Sequence, residues 1–365
     1  MQLINTGNNL KSHGKDDSLR DITLDIAKGI LILLMVIGHS GAPKWLVNCI
    51  YSFHMPCFFI ISGILFSYFY LGKPLIFIKK RIKSIWWPFV KWTWIFLICH
   101  NLFYNFGFYQ EPYTFSRIIS KFIKIFFLLD LEQLLGGFWF LRSLLIASLI
   151  CFCYYKLIGT NKVKLIAGII ILVVLAEILT IYKISFLYFK PINILACAYF
   201  MSGTLLNSFE FRKVRKKEFI ITTSVILIGI SSMGDKVEMA NLTSLNLVPY
   251  FIKSLVISYG FILILETVKY TSWSKYLTYL GMKTMDILII HFLAFKIISL
   301  LKIQIFGLDS QNLKNFPVIE ENNSIFWIVY VILGIVICLS YSKIKDYLHN
   351  CYLLWKDRKN KTILL

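Results

Sequence analysis

The stretch from Lys164 to Tyr182, KLIAGIIILVVLAEILTIY, holds one ionisable residue, Glu177, between its ends. A surface helix of a soluble protein alternates polar and apolar faces, and this run does not. Roughly 20 mostly apolar residues in a helix cross the hydrocarbon core of a bilayer. Comparable runs lie at 219–233, 251–268 and 325–342, and at 29–38 with its flanks. Charged residues make up 16% of the chain, against about a quarter in soluble domains. The expected fold is an all-α integral membrane protein.

The formal net charge of +20 is gathered in short runs between the apolar segments: KKRIK at 79–83, RKVRKK at 212–217 and KDRKNK at 356–361. Such loops follow the positive-inside rule and face anionic cytoplasmic lipid heads. No recognition motif interleaves with the charge, which argues against a nucleic-acid partner. The same basic face would attract an anionic cytosolic ligand. The eight cysteines fall mostly inside apolar segments without metal-ligand spacing, so small buried hydrophobes is the expected reading.

Loop charge assigns sides to about ten spans: 22–43, 46–71, 86–108, 138–157, 164–183, 191–208, 218–233, 249–268, 278–301 and 325–343. Residues 115–136 read as amphipathic and lie along the outer interface. Both termini are then cytoplasmic. The expected organisation is a polar tail over 1–21, a membrane domain over 22–343 and a basic tail over 344–365. The first apolar segment follows a polar stretch, as in a signal peptide. No small-residue cleavage site follows GHSGAP, so it reads as a retained first span.

Ionisable side chains inside such spans are rare, and they mark cavities or pathways. On the first span, DIAKGILILLMVIGHS, Lys28 and His39 are eleven residues apart. That spacing returns to within roughly 20° of one helical face, separated by roughly 16 Å along the axis. Asp25 is one turn before Lys28 and able to pair with it. On these residues alone, a Lys28 that snorkels to the inner interface and a His39 among the outer headgroups is an equal alternative. His54, on the second span within YSFHMPCFFIISGILF, falls at a depth similar to His39. Pro56 reshapes that helix, and Ser62 and Gly63 allow close helix approach. The fourth span opens GGFWFLRSLL. Trp139 reads as an interfacial anchor, and Arg142 points into a polar cavity near the two histidines or snorkels outward. Glu177 and His291 lie inside apolar runs, and Asp286 is only partly co-facial with His291. Histidine is suited to proton transfer near neutral pH, so group transfer at the membrane is the chemistry these residues suggest.

At these motifs the sequence resembles the membrane-bound acyltransferase 3 family, the O-acyltransferases that decorate bacterial surface carbohydrates. The resemblance runs from about residue 20 to 343 through RDITLDIAKGILILLMVIGHS, FHMPCFFIISGILF, KKRIKSIWWPF, FWFLRSLL and YLGMKTMDILIIH. The first two are similar to a subgroup of acetyltransferases related to fucose acetylases. The family's signature, a basic residue, ten spacers and the catalytic histidine, maps onto Lys28 and His39. Arg is usual at the first position, and Lys lacks its bidentate fork. The resemblance implies a standalone transferase in a bacterial inner or plasma membrane, with no bound cofactor. Its donor would be cytosolic acetyl-CoA and its acceptor a hydroxyl of a surface polysaccharide or lipid-linked oligosaccharide. It casts His39 as base or transient acyl acceptor. Lys28, His54 and Arg142 would assist, and Asp25, Trp139, Ser62, His291 and Glu177 would lie along the donor or acceptor path. A transporter or glycolipid flippase is the rival, since it also places charges at mid-membrane. Matching broken-helix halves, its usual mark, are absent from the sequence. Oligomeric state is not legible.

Overall fold

Helix follows helix along the whole described chain. The computed structural model describes residues 21–213, 216–234, 237–240, 242, 246–322 and 324–363. In chain order the helices are α1 (Ile22–His39), α2 (Lys44–Tyr51), α3 (His54–Ile64), α4 (Pro74–Arg81), α5 (Trp87–Ile98), α6 (His100–Asn105), α7 (Phe115–Phe126) and α8 (Trp139–Leu157). There follow α9 (Lys162–Ile181), α10 (Pro191–Ser208), α11 (Lys217–Met233), α12 (Leu247–Val268), α13 (Ser274–Met282), α14 (Thr284–Phe306) and α15 (Phe326–Ile363). The β pairing among the described residues is a single bridge, Phe186 with Phe189.

Seven helical stretches among the described residues are long and apolar enough to cross a membrane, namely α1, α2 with α3, Gln133–Leu157, α9, α12, α14 and Phe326–Lys356. The outward stripe of α9, Ile166, Ile170, Val174, Ile178 and Ile181, is exposed and apolar, as a lipid-facing surface must be. The stretches expected as third, sixth and seventh spans are helical too. The third is interrupted at Cys99 between α5 and α6, α11 has 17 residues, and α10 mixes Asn193, Ser202, Thr204 and Asn207 among its apolar side chains. α15 continues as one helix through residue 343, where the membrane domain was expected to end.

The core is organised around α10, which is buried on every side from Ile192 to Thr204. Two glycine crossings bring backbones together. A Cβ on Gly63 would fall 1.9 Å from the carbonyl oxygen of Phe200, and one on Gly203 would fall 2.0 Å from that of Ile60. Any side chain at either position would therefore force α3 and α10 apart. Gly29 of α1 and Gly281 of α13 meet in the same way, at 2.1 Å from Leu277 O and 2.0 Å from Asp25 O. This second crossing holds the face of α1 that carries Lys28 and His39 in one orientation.

α7 displays Phe115, Ile119, Phe122 and Phe126 outward at helical spacing. Trp94 of α5 stacks on Phe122 with ring centroids 4.1 Å apart. An exposed apolar face on a short basic helix is the pattern of an interfacial helix. The loop before it is anchored by the buried His100 ring, which bridges Glu132 Oε2 (2.9 Å) and the carbonyl of Glu111 (3.1 Å).

Two lysines on α14 are buried. Lys296 Nζ donates to the carbonyls of Leu313 and Asn315, each at 2.6 Å, and Lys302 Nζ donates to that of Ile319 at 2.7 Å. They tie the 307–322 loop across the end of the bundle, satisfying carbonyls that the loop would otherwise bury unpaired. Lys296→Met keeps the stem and removes both bonds. It is expected to lower unfolding stability by roughly 2 kcal/mol, read as an earlier thermal midpoint in detergent. An unchanged midpoint would contradict the role.

Candidate active site

The candidate site is a narrow cavity at the His39 end of α1. Its space for water-sized spheres is about 50 Å³ measured to their centres, room for a few waters. Each wall follows from local structure. On α1, Ile32, Met35 and His39 line it, spaced by three and four residues along the face that holds Lys28 one turn further down. Lys28 Nζ lies 2.6 Å from Asp25 Oδ1; Asp25 is buried and the lysine partly exposed. The stripe therefore runs from an ion pair at one end of α1 to an imidazole at the other.

The second wall comes from the α2–α3 break. Pro56 lies in the first turn of α3, where its missing N–H costs nothing. The chain breaks just before, at Ser52 and Phe53, with Phe53 at φ −151°. The break lets Tyr51 and His54 face the same cavity, with rings 4.9 Å apart. His54 is buried, and its Nδ1 donates to the carbonyl of Ile50 at 2.8 Å. That bond leaves Nε2 as the acceptor nitrogen in the neutral ring. The Tyr51 hydroxyl is 3.4 Å from His39 Nδ1.

The third wall is α14. Thr284 and Leu288 line the cavity, and His291, one turn on, stacks on His39 with centroids 5.8 Å apart and planes at 29°. Phe292 packs on both rings, 5.0 Å from His39 and 3.9 Å from His291. His291 is fully buried; its Nδ1 donates between the carbonyls of Ile287 (3.2 Å) and Leu288 (3.1 Å). Its Nε2 is buried with no hydrogen-bond partner. A buried acceptor without a donor is uncommon, and this one lies beside the half-buried His39. Gly137 from the turn before α8, Trp139 and Phe140 from its first turn, and Glu238 to Ala240 from the loop after α11 complete the enclosure.

His39, His54, Trp139 and, by ring contact, His291 thus gather in one place. The other candidate residues lie elsewhere. Arg142 lines no part of this cavity; the titratable groups near it are Asp130, Tyr188 and Lys190. One helical turn beyond Trp139 and on nearly the same face, it lies past the lining of the cavity. Ser62 Oγ donates to the carbonyl of Phe58 on its own helix at 2.8 Å. The Glu177 carboxylate accepts the N–H of Leu247 at 2.6 Å, satisfying one of the free donors that open α12. Asp286 faces α15 through Ser342 (2.7 Å) and Lys345. Tyr51, Glu238, Thr284 and Phe292 were not anticipated. Tyr51 had a signal, being three residues from His54, whereas Glu238 sits in a loop that reads as ordinary polar connection.

The arrangement can take a proton and hold it within a cluster of imidazoles and a phenol. Metal-ligating groups of three or more His, Cys, Asp or Glu are absent among the described residues.

Comparison with known proteins bears on what this machinery serves. The chain is similar to Nodulation protein NolL from Sinorhizobium fredii, 48% identical over 59 residues, which is 13% of this chain and 16% of that protein. It is also similar to Nodulation protein NolL from Mesorhizobium japonicum, 39% identical over 85 residues, 20% of this chain and 23% of the relative. The aligned part therefore spans less than a quarter of the length of either relative. No solved structure matches the chain. The family described as "Acyltransferase domain" matches residues 21–343, nearly the whole described bundle, and the chain belongs to that family.

Proposed function

We propose that the protein is an integral membrane O-acyltransferase that moves an acetyl group from cytosolic acetyl-CoA to a hydroxyl of a cell-surface polysaccharide or its lipid-linked precursor. In this reading ten helical segments cross a bacterial inner or plasma membrane, with both termini on the cytoplasmic side. The observation that carries it is the cavity along Ile32, Met35 and His39, which ends at the His39–His54–His291 cluster. Family membership supports the reaction class. A soluble phosphorylated donor fits a chain whose inter-helix loops are basic.

The slender pantetheine arm passes the Lys28–Asp25 pair and sets its thioester beside His39. In the tautomer in which Nδ1–H donates to the Tyr51 oxygen, His39 Nε2 carries the lone pair of a general base. It takes the proton of the acceptor hydroxyl as that oxygen attacks the thioester carbonyl. A C–O bond forms, the C–S bond breaks, and the coenzyme A thiolate leaves with the proton that His39 returns. Tyr51 and His54 bound the cavity where the carbonyl oxygen gains charge, and a donor there stabilises it. His291 Nε2 accepts a hydrogen bond from any water or hydroxyl that enters the cluster. The apolar walls exclude bulk water and limit loss of the acetyl group by hydrolysis.

Purified protein in lipid nanodiscs, incubated with radiolabelled acetyl-CoA and surface glycan from a strain lacking the protein, tests this. Label in the glycan is the expected result. Glycan movement across a vesicle membrane without label transfer would favour a flippase.

A further inference from the structure

Arg142 occupies the first turn of α8 and makes no hydrogen bond or ion pair among the described residues; its Nε is buried without a partner. The side chains of Lys190 and Lys183 make none either among the described residues. Ser143, next to Arg142, donates to Asn193 Oδ1 at 2.7 Å, and Asn193 Nδ2 donates to the carbonyl of Tyr188 at 2.7 Å. These bonds fix α8 against the start of α10 and hold Arg142 beside Lys190. Partial burial and the facing Arg142 charge push the Lys190 pKa down. The nearby Asp130 carboxylate is engaged elsewhere, with Lys121 Nζ at 2.9 Å and the N–H of Leu131 at 2.7 Å.

Lys183 and Lys190 line a second cavity of about 280 Å³. Ala240 lines both that cavity and the His39 cavity, and Trp139, one helical turn before Arg142, lines the latter. None of the three cations is in an ion pair among the described residues, and only the Asp130 charge offsets that of Arg142; the three repel one another, and the one in a membrane helix is costly to desolvate. An arriving anion relieves both costs.

We propose that this vestibule binds an acidic group, carboxylate or phosphate, carried by the acyl acceptor. An anionic sugar held there presents a neighbouring hydroxyl to His39 past Ala240 and Trp139. This rests on the acyl-transfer reading above. It adds a substrate class that neither family membership nor the histidine cluster supplies.

The test uses the full chain in phosphatidylcholine nanodiscs and two labelled probes, oligogalacturonate and its carboxyl-reduced neutral counterpart, in flow dialysis. The acidic probe is expected to bind about tenfold tighter, as a partly buried charge-assisted contact implies. The preference should shrink with added salt, collapse in both Lys190→Gln and Arg142→Gln, and persist in His39→Ala. Equal binding of the two probes, binding of neither, or a preference unchanged in both variants overturns the proposal. Loss of the preference when phosphatidylglycerol replaces part of the lipid places a headgroup phosphate at the site and also overturns it. Acetyl-CoA turnover in the same samples separates the two claims. Equal probe binding with His39-dependent turnover refutes the anion site alone. Charge preference without His39-dependent turnover refutes acyl transfer, and with it the acceptor role.

Discussion

His39→Ala is expected to cut acyl transfer by on the order of a thousandfold, the range in which a positioned general base contributes, while the protein accumulates normally. The loss of activity follows from position. His39 stands where the α1 face meets Tyr51, His291 and Phe292, and each of these packs against its ring. None of them replaces it. His54 and His291 spend their Nδ1 protons on helix carbonyls and are held in place by them. The fold should survive because the side chain is half-buried and borders an existing cavity. Truncation there enlarges a pocket rather than opening a void in a sealed core. The check is labelled-acetyl transfer at matched protein level; activity within a few-fold of wild type would remove His39 from the chemistry.

Gly203→Leu is expected to abolish the folded protein. The new Cβ alone would lie 2.0 Å from the Ile60 carbonyl oxygen, with Gly63 making the reciprocal contact on Phe200. Both obstacles are backbone, so no rotamer change relieves them. Opening the α3–α10 crossing strips packing from the most buried helix, a cost on the order of 3 kcal/mol or more. Gly229→Ala is the matched control, since a Cβ there meets nothing within 4 Å. In a helix that change stabilises slightly. Fluorescence-detected size exclusion after heating should show aggregate for Gly203→Leu and an unshifted or later transition for Gly229→Ala. Equal behaviour of the two would mean that the crossing tolerates separation.

The long apolar runs made the helical architecture readable because a bilayer permits few other solutions. The Lys28–His39 stripe was readable for a similar reason: eleven residues return to one helical face. The Asp25–Lys28 pair and the close approach at Gly63 followed from local spacing. What surrounds each face was not readable. Periodicity fixes a side chain's direction on its own helix, not the neighbour it meets. Arg142 therefore faces Lys190 rather than the histidines, although Trp139, one helical turn earlier, lines their cavity. Glu177 looked like a pathway residue, yet it caps α12, whose first N–H arrives from 70 residues away. Glu238 reaches the cavity from a loop with no periodicity to read. Lys296 and Lys302 lie within an apolar run, and their partners are loop carbonyls that carry no sequence signature.

Nuclear magnetic resonance of the surface polysaccharide offers the decisive comparison, using a deletion strain complemented with either the wild-type chain or His39→Ala. Acetyl methyl signals should be absent from the deletion strain, return with the wild type, and stay absent with His39→Ala at equal membrane abundance. Full acetylation restored by His39→Ala would contradict a transfer centred on that residue.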